Sequence, residues 1–133
     1  MTLDDLKNVR RQRLHVVSLQ ERIAGLRSRA EYTARQLGEC GTDDATRDRL
    51  AEYAAELDDL ESHLTSEMIT LEHEVQAVDQ ALSELPENQE KVLHLRYCDG
   101  LPWKLVSNEA HYCLGWCKQL DQKARKELTQ THF

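Results

Sequence analysis

Residues 85–128 read LPENQEKVLHLRYCDGLPWKLVSNEAHYCLGWCKQLDQKARKEL. Pro86 suits the first position of a helix, where its missing N–H costs nothing. Glu87 and Glu90 suit that helix's first turn, which favours negative charge. Val92, Leu93, Leu95 and Tyr97 supply its buried side, and Asp99-Gly100 is a strong stop. A short helix is expected from about Pro102 to Ala110, a turn at His111-Tyr112-Cys113, and a last helix from Leu114 to about Leu128. Two short helices joined by a tight turn, followed by basic residues, fit the helix-turn-helix plan.

Outward from this segment the chain is a run of long amphipathic helices. The first begins near Thr2, with Asp5 placed as in a capping box. Val16, Leu19, Ile23, Leu26, Ala30, Thr33 and Leu37 alternate steps of three and four, the signature of a helix–helix seam. Gly38 to Asp44 reads as a loop, with Gly38 as the C-cap and Thr42 or Asp43 capping the next helix. In that helix Leu50, Tyr53, Leu57, Leu60 and Leu64 repeat the pattern. It then slips by one residue to Met68, Leu71, Val75, Val78, Leu82 and Leu85, a stutter. A short loop between two long helices implies an antiparallel hairpin. The first helix reads as the shorter, so the second should overhang it and expose an apolar stripe. An exposed stripe invites a partner helix, and a homodimer or higher homo-oligomer is expected.

Composition supports this reading. Charged residues make up 31% and aromatics 5%, with five Gly and two Pro, which favours long helices over a thick globular core. No apolar run approaches the ~18 residues that span a membrane, and the amino terminus lacks a signal-peptide pattern. A cytoplasmic protein with reduced thiols is the expectation. The net charge of −7 is unevenly placed: residues 1–84 carry 10 basic and 18 acidic side chains, residues 85–133 carry 7 and 6. Within 113–126 the basic residues are Lys118, Lys123, Arg125 and Lys126, against the single acid Asp121.

The run from Leu85-Pro86 through Leu95-Arg96-Tyr97 resembles the opening of region 4 of sigma-70 factors, which begins Leu-Pro and leads through aliphatics to Leu-Arg-Tyr. Gly100 matches that family's turn glycine, Trp103 and Val106 its first motif helix, and Leu120, Lys123, Ala124 and Leu128 its closing pattern. The resemblance covers about 44 residues. The wider plan, a helical region ahead of this module, is similar to the RinA-type late transcription activators and related phage regulators. Their Trp, His-Tyr and Trp find counterparts in Trp103, His111-Tyr112 and Trp116.

This resemblance implies that the last helix enters the major groove of double-stranded DNA. By position, Leu114, Gly115, Lys118, Gln119 and Gln122 would form the reading surface, since Gln pairs with adenine and Lys donates to guanine. Lys104, Lys123, Arg125 and Lys126 would hold phosphates. Contact with RNA polymerase, which region 4 makes in sigma factors, is a further expectation. Cys113 stands where the family often has a capping Ser or Thr, and Leu114 and Gly115 replace polar reading residues.

Other chemistries find less support. Cys98, His111, Cys113 and Cys117 are zinc-ligand types, but no second Cys pair is present and Cys117 falls in an aliphatic slot. Trp103 and Trp116 read as core residues of the module rather than base-stacking platforms. No phosphate loop, activated nucleophile or paired-acid pocket is evident, so neither an enzyme nor a cofactor is expected. The fold expected is all-α: an oligomerising helical hairpin over residues 1–84 and a DNA-binding helix-turn-helix module over residues 85–133. The function expected is transcription regulation in a phage or prophage. Two rivals are a small terminase subunit, which also joins a DNA-binding helical module to oligomerising helices, and a protein-binding coiled coil with a degenerate helix-turn-helix.

Overall fold

The structure, a computed structural model, describes residues 2–40 and 44–130, with the side chains of residues 39, 40, 129 and 130 left aside. Helices are the only regular elements among the described residues. They are α1 (Leu3–Cys40), α2 (Asp44–Leu82), α3 (Glu87–Leu93), α4 (Trp103–Ala110) and α5 (Leu114–Gln130), with a π-helical turn at His94–Cys98 continuing α3. None of these helices is long and apolar enough to cross a membrane.

The chain divides into two compact units, residues 15–68 and residues 1–14 with 69–133. In the first, Val16, Leu19, Ile23, Leu26 and Thr33 of α1 are buried, as their spacing requires. The buried Thr33 satisfies its hydroxyl by donating to the Arg29 carbonyl at 2.9 Å. The facing residues of α2, Leu50, Tyr53, Leu57, Leu60 and Leu64, are only half-buried. Arg27 pairs with Glu61, and the His15 and His63 rings meet edge to face at 5.9 Å. Arg29 and Tyr32 share a groove with Arg49 and Tyr53. Rising numbers on α1 thus meet falling numbers on α2, the antiparallel sense.

Three expectations need correction here. α1 continues through Gly38 to Cys40, because a glycine with nothing packed around it weakens a helix without ending it. Thr42 and Asp43 lie outside the described residues. The two long helices have 38 and 39 residues, which removes the premise of an overhang. The expected slip at Met68 is absent: Met68 is 45% exposed, Glu67 is half-buried, and Leu71 is buried. The steps from Leu64 to Glu67 to Leu71 are three and four, so the seam accepts a carboxylate at Glu67, and the two consecutive fours fall one turn later, from Glu67 through Leu71 to the half-buried Val75.

The second unit gathers the start of α1, the end of α2 and residues 85–130. Thr2 and Asp5 cap α1 reciprocally: the Thr2 N–H donates to Asp5 Oδ2 at 2.9 Å, and the Asp5 N–H donates to Thr2 Oγ1 at 3.3 Å. Leu6 and Val9 extend the buried stripe of α1 towards its amino end. The core is completed by Leu71, Val78 and Leu82 of α2, Val92 and Leu93 of α3, Val106 of α4, and Cys117, Leu120 and Ala124 of α5. Fully burying each such Leu or Val contributes about 1.5–3 kcal/mol.

Local chemistry sets the boundaries. Pro86, with ψ 147°, sits just outside α3 as its N-cap rather than at its first helical position, and its carbonyl accepts the Glu90 N–H at 3.0 Å. At the other end the Asp99 N–H reaches back five residues to His94 at 3.0 Å. Gly100 takes φ 72°, a left-handed conformation that glycine adopts cheaply. The freed carbonyls are taken by arginines: Arg13 donates to Cys98 at 2.8 Å and Arg96 to Leu101 at 3.1 Å. α4 ends at His111, also left-handed at φ 61°, where Ser107 Oγ closes the turn on the Tyr112 carbonyl at 2.5 Å.

Candidate functional site

α5 buries Cys117, Leu120, Asp121, Ala124 and Leu128, spaced by three, one, three and four, which fixes one face inward. With 3.6 residues per turn, Gly115, Gln119, Gln122 and Lys126 fall on the opposite face, and all four are exposed. Lys118 and Lys123 flank them, also exposed. Leu114, at the start of the helix, is 43% exposed. An added Cβ at Gly115 would meet nothing within 4 Å. Lys104 is exposed on α4. Of the nine residues expected to bind DNA, eight are exposed and Arg125 is half-buried.

Arg125 is held by Asp121, whose Oδ2 lies 3.1 Å from its Nε. Asp121 itself is only 4% exposed and accepts the Tyr97 hydroxyl at 2.9 Å on Oδ1. Burial raises the Asp121 carboxyl above its ordinary 3.8, against the lowering pull of Tyr97 and Arg125. Burial, then the charge of Asp121, likewise raises the Tyr97 hydroxyl. The acid on the basic helix is thus turned inward as a structural tie. Trp103 and Trp116 are half-buried rather than core, each beneath a cation: Arg96 lies 4.7 Å from the Trp103 ring centre and Lys123 lies 5.0 Å from that of Trp116.

Beside the outward face of α5 lies a cleft of about 560 Å³. Lys7, Arg10 and Arg11 line it from α1, Arg96 from the π-helical turn, and Lys118 and Arg125 from α5. Its one acid is the buried, bonded Asp121. Among the described residues, Lys7, Arg10, Arg11, Arg96 and Lys118 make no ion pair. No family model, curated protein or solved structure matches the chain. What the cleft and the α5 face can do therefore rests on their own chemistry.

Sequence reasoning singled out Lys118 and Arg125 but missed Lys7, Arg10, Arg11 and Arg96. The available signal was the run from Lys7 to Arg13, four basic residues in seven within an otherwise acidic half. The residues weighed for zinc do not converge. Among the described residues the ligand-type clusters are instead Asp79 with His94 and Cys98, and His15 with His63 and Glu67. In the first, His94 Nδ1 lies 2.8 Å from Asp79 and its Nε2 lies 3.6 Å from Asp99. Cys98 is buried, and burial, then Asp79 and Asp99, pushes its thiol up to about 12. The His94 imidazole, bonded to Asp79, ties the π-helical turn to α2.

Proposed function

We propose that the protein is a DNA-binding transcriptional regulator of a phage or prophage, in which α4, the turn at His111 and α5 act as a helix-turn-helix. The observation that carries this reading is the face of α5 directed away from the core. It presents Gln119 and Gln122, which suit base edges, beside Lys118, Lys123 and Lys126, which suit guanine acceptors and phosphates. The likeness of residues 85–128 to sigma region 4 supports the same reading and adds RNA polymerase as a partner. The exposed Gly115 lets backbone approach a groove closely.

Residues 15–68 serve as an oligomerisation region. Their α2 side chains are only half-buried, and Tyr32 and Met68 are exposed, so a second copy has apolar surface left to cover. A homodimer acting in the cytoplasm is the simplest arrangement. The protein-binding alternative draws on one observation: Leu105 and Leu114, each more than two-fifths exposed, are apolar side chains on the proposed DNA-facing helices.

The test is a mobility-shift assay with fragments of the source genome at two salt concentrations, using Lys118→Ala/Gln119→Ala as the control. Binding of a discrete fragment that weakens with salt and is lost in the double variant is the expected result. Absence of any shift at low salt would transfer α5 to the protein-binding reading.

A further inference from the structure

The cleft beside α5 has a charge balance the fold does not explain. Five of its cations have no acidic partner among the described residues, and the one acid is already bonded to Tyr97 and Arg125. Arg10 Nε is buried without a hydrogen-bond partner. An orphaned charged donor of this kind destabilises the fold unless something accepts from it. Burial, and then the charge of Arg10, pulls the Arg96 guanidinium below its ordinary value. Arg10 and Arg96, both lining the cleft, together offer a fork of donors that suits an oxyanion.

The excess identifies the anion. A single carboxylate is satisfied by one arginine in two-point contact. Five unpaired cations along one cleft match a group with several charged oxygens, or a row of such groups. On α1, Lys7, Arg10 and Arg11 lie three and four residues apart and so share a face.

We propose that this cleft is a phosphate-binding site. Arg10 and Arg96 grip one phosphate, and Lys7, Arg11 and Lys118 hold the adjoining charge. Two sources offer this chemistry. One is the backbone of duplex DNA read by α5, because Lys118 belongs to both surfaces; this source rests on the DNA-binding reading. The other is a free phosphorylated small molecule.

The experiment uses the full chain carrying Trp116→Phe, so that Trp103, which lines the cleft under Arg96, is the only tryptophan. Its fluorescence is followed during titration with pyrophosphate, with sodium chloride at matched ionic strength, and with duplex DNA. A saturable response to pyrophosphate but not chloride, weakened about tenfold or more by Arg10→Gln/Arg11→Gln, supports the site. Competition by the duplex, with a salt slope of binding reduced by about 1–2 in the same variant, assigns the DNA backbone as source. Saturation by pyrophosphate without competition assigns a free ligand, and this arm holds even if α5 binds no DNA. No saturable response, together with unchanged duplex affinity and salt slope in the variant, overturns the proposal. Arg11→Gln alone, at an exposed position, provides a variant whose folding is not in question.

Discussion

At the scale of single residues, the structure separates positions that hold the fold from positions that face outward. Tyr97→Phe removes the hydroxyl that a nearly fully buried carboxylate depends on. It should lower unfolding stability by about 1.5–3 kcal/mol, the usual range for a hydrogen bond to a charged group, as read by urea denaturation. Gly100→Ala would place a Cβ 2.9 Å from Arg13 Cγ at φ 72°. Arg13 cannot swing aside without releasing the Cys98 carbonyl. The expected loss is about 1–2 kcal/mol from the left-handed backbone alone, with the clash in addition. Gly115→Ala should act in the opposite direction, stabilising α5 by about 0.5–1 kcal/mol because nothing lies near its added methyl. If it also weakens a DNA complex, Gly115 is at the contact surface. Cys98 gives a pH dependence. Its folded thiol titrates near 12 against an ordinary 9.0. The folded state therefore holds the proton more tightly, and this contribution to stability, fully present below pH 9, is lost as pH rises towards 12. Cys98→Ala should flatten that alkaline decline, and a thiol reagent at neutral pH should reach the exposed Cys113 well before Cys98 or Cys117.

At the scale of elements, legibility followed the strength of local punctuation. α3 with its π-helical continuation, α4 and α5 begin and end within a residue or two of where Pro86, Asp99-Gly100, Pro102 and the His111 turn placed them, because these residues restrict φ or remove a donor. The π-helical turn was not legible. A slip from four to five residues leaves no mark in composition, and its carbonyls are rescued by Arg13, 85 residues distant from Cys98. The seam of α2 was misread at one point, since an apolar search takes Met68 where the helix takes Glu67. That reading can be checked. Glu67→Leu puts an apolar side chain on the seam and should raise the thermal midpoint. Met68→Glu, on the exposed side, should leave the stability of the single chain within about 0.5 kcal/mol. If Met68 lies in an oligomer contact, the same change should shift the light-scattering mass towards the monomer. The cleft was the least legible feature, because it joins residues near 10 to residues near 96 and 120, and no single window of sequence contains both.

At the scale of the whole molecule, a chain of net charge −7 carries a concentrated positive site. Net charge and local field are separate quantities, and a cleft lined by one sign attracts counter-ions whatever the total. The consequence concerns stability before any partner is added. Without an anion, Arg10, Arg96 and their neighbours repel one another and leave Arg10 Nε buried and unsatisfied. Removing one cation should then help the empty fold: Arg10→Gln should melt higher than the unaltered chain in dilute buffer without phosphate. An anion that binds only the folded state stabilises it by mass action, so pyrophosphate should raise the midpoint of the unaltered chain more than chloride does at equal ionic strength. The two curves should cross. Arg10→Gln gains little from pyrophosphate because the fork it would fill is gone, and the unaltered chain overtakes it as the ligand concentration rises. Simple screening of repulsion predicts no such crossing, because it acts on both anions alike. Parallel thermal melts of the two proteins in the two salts therefore distinguish a built anion site from an accident of surface charge.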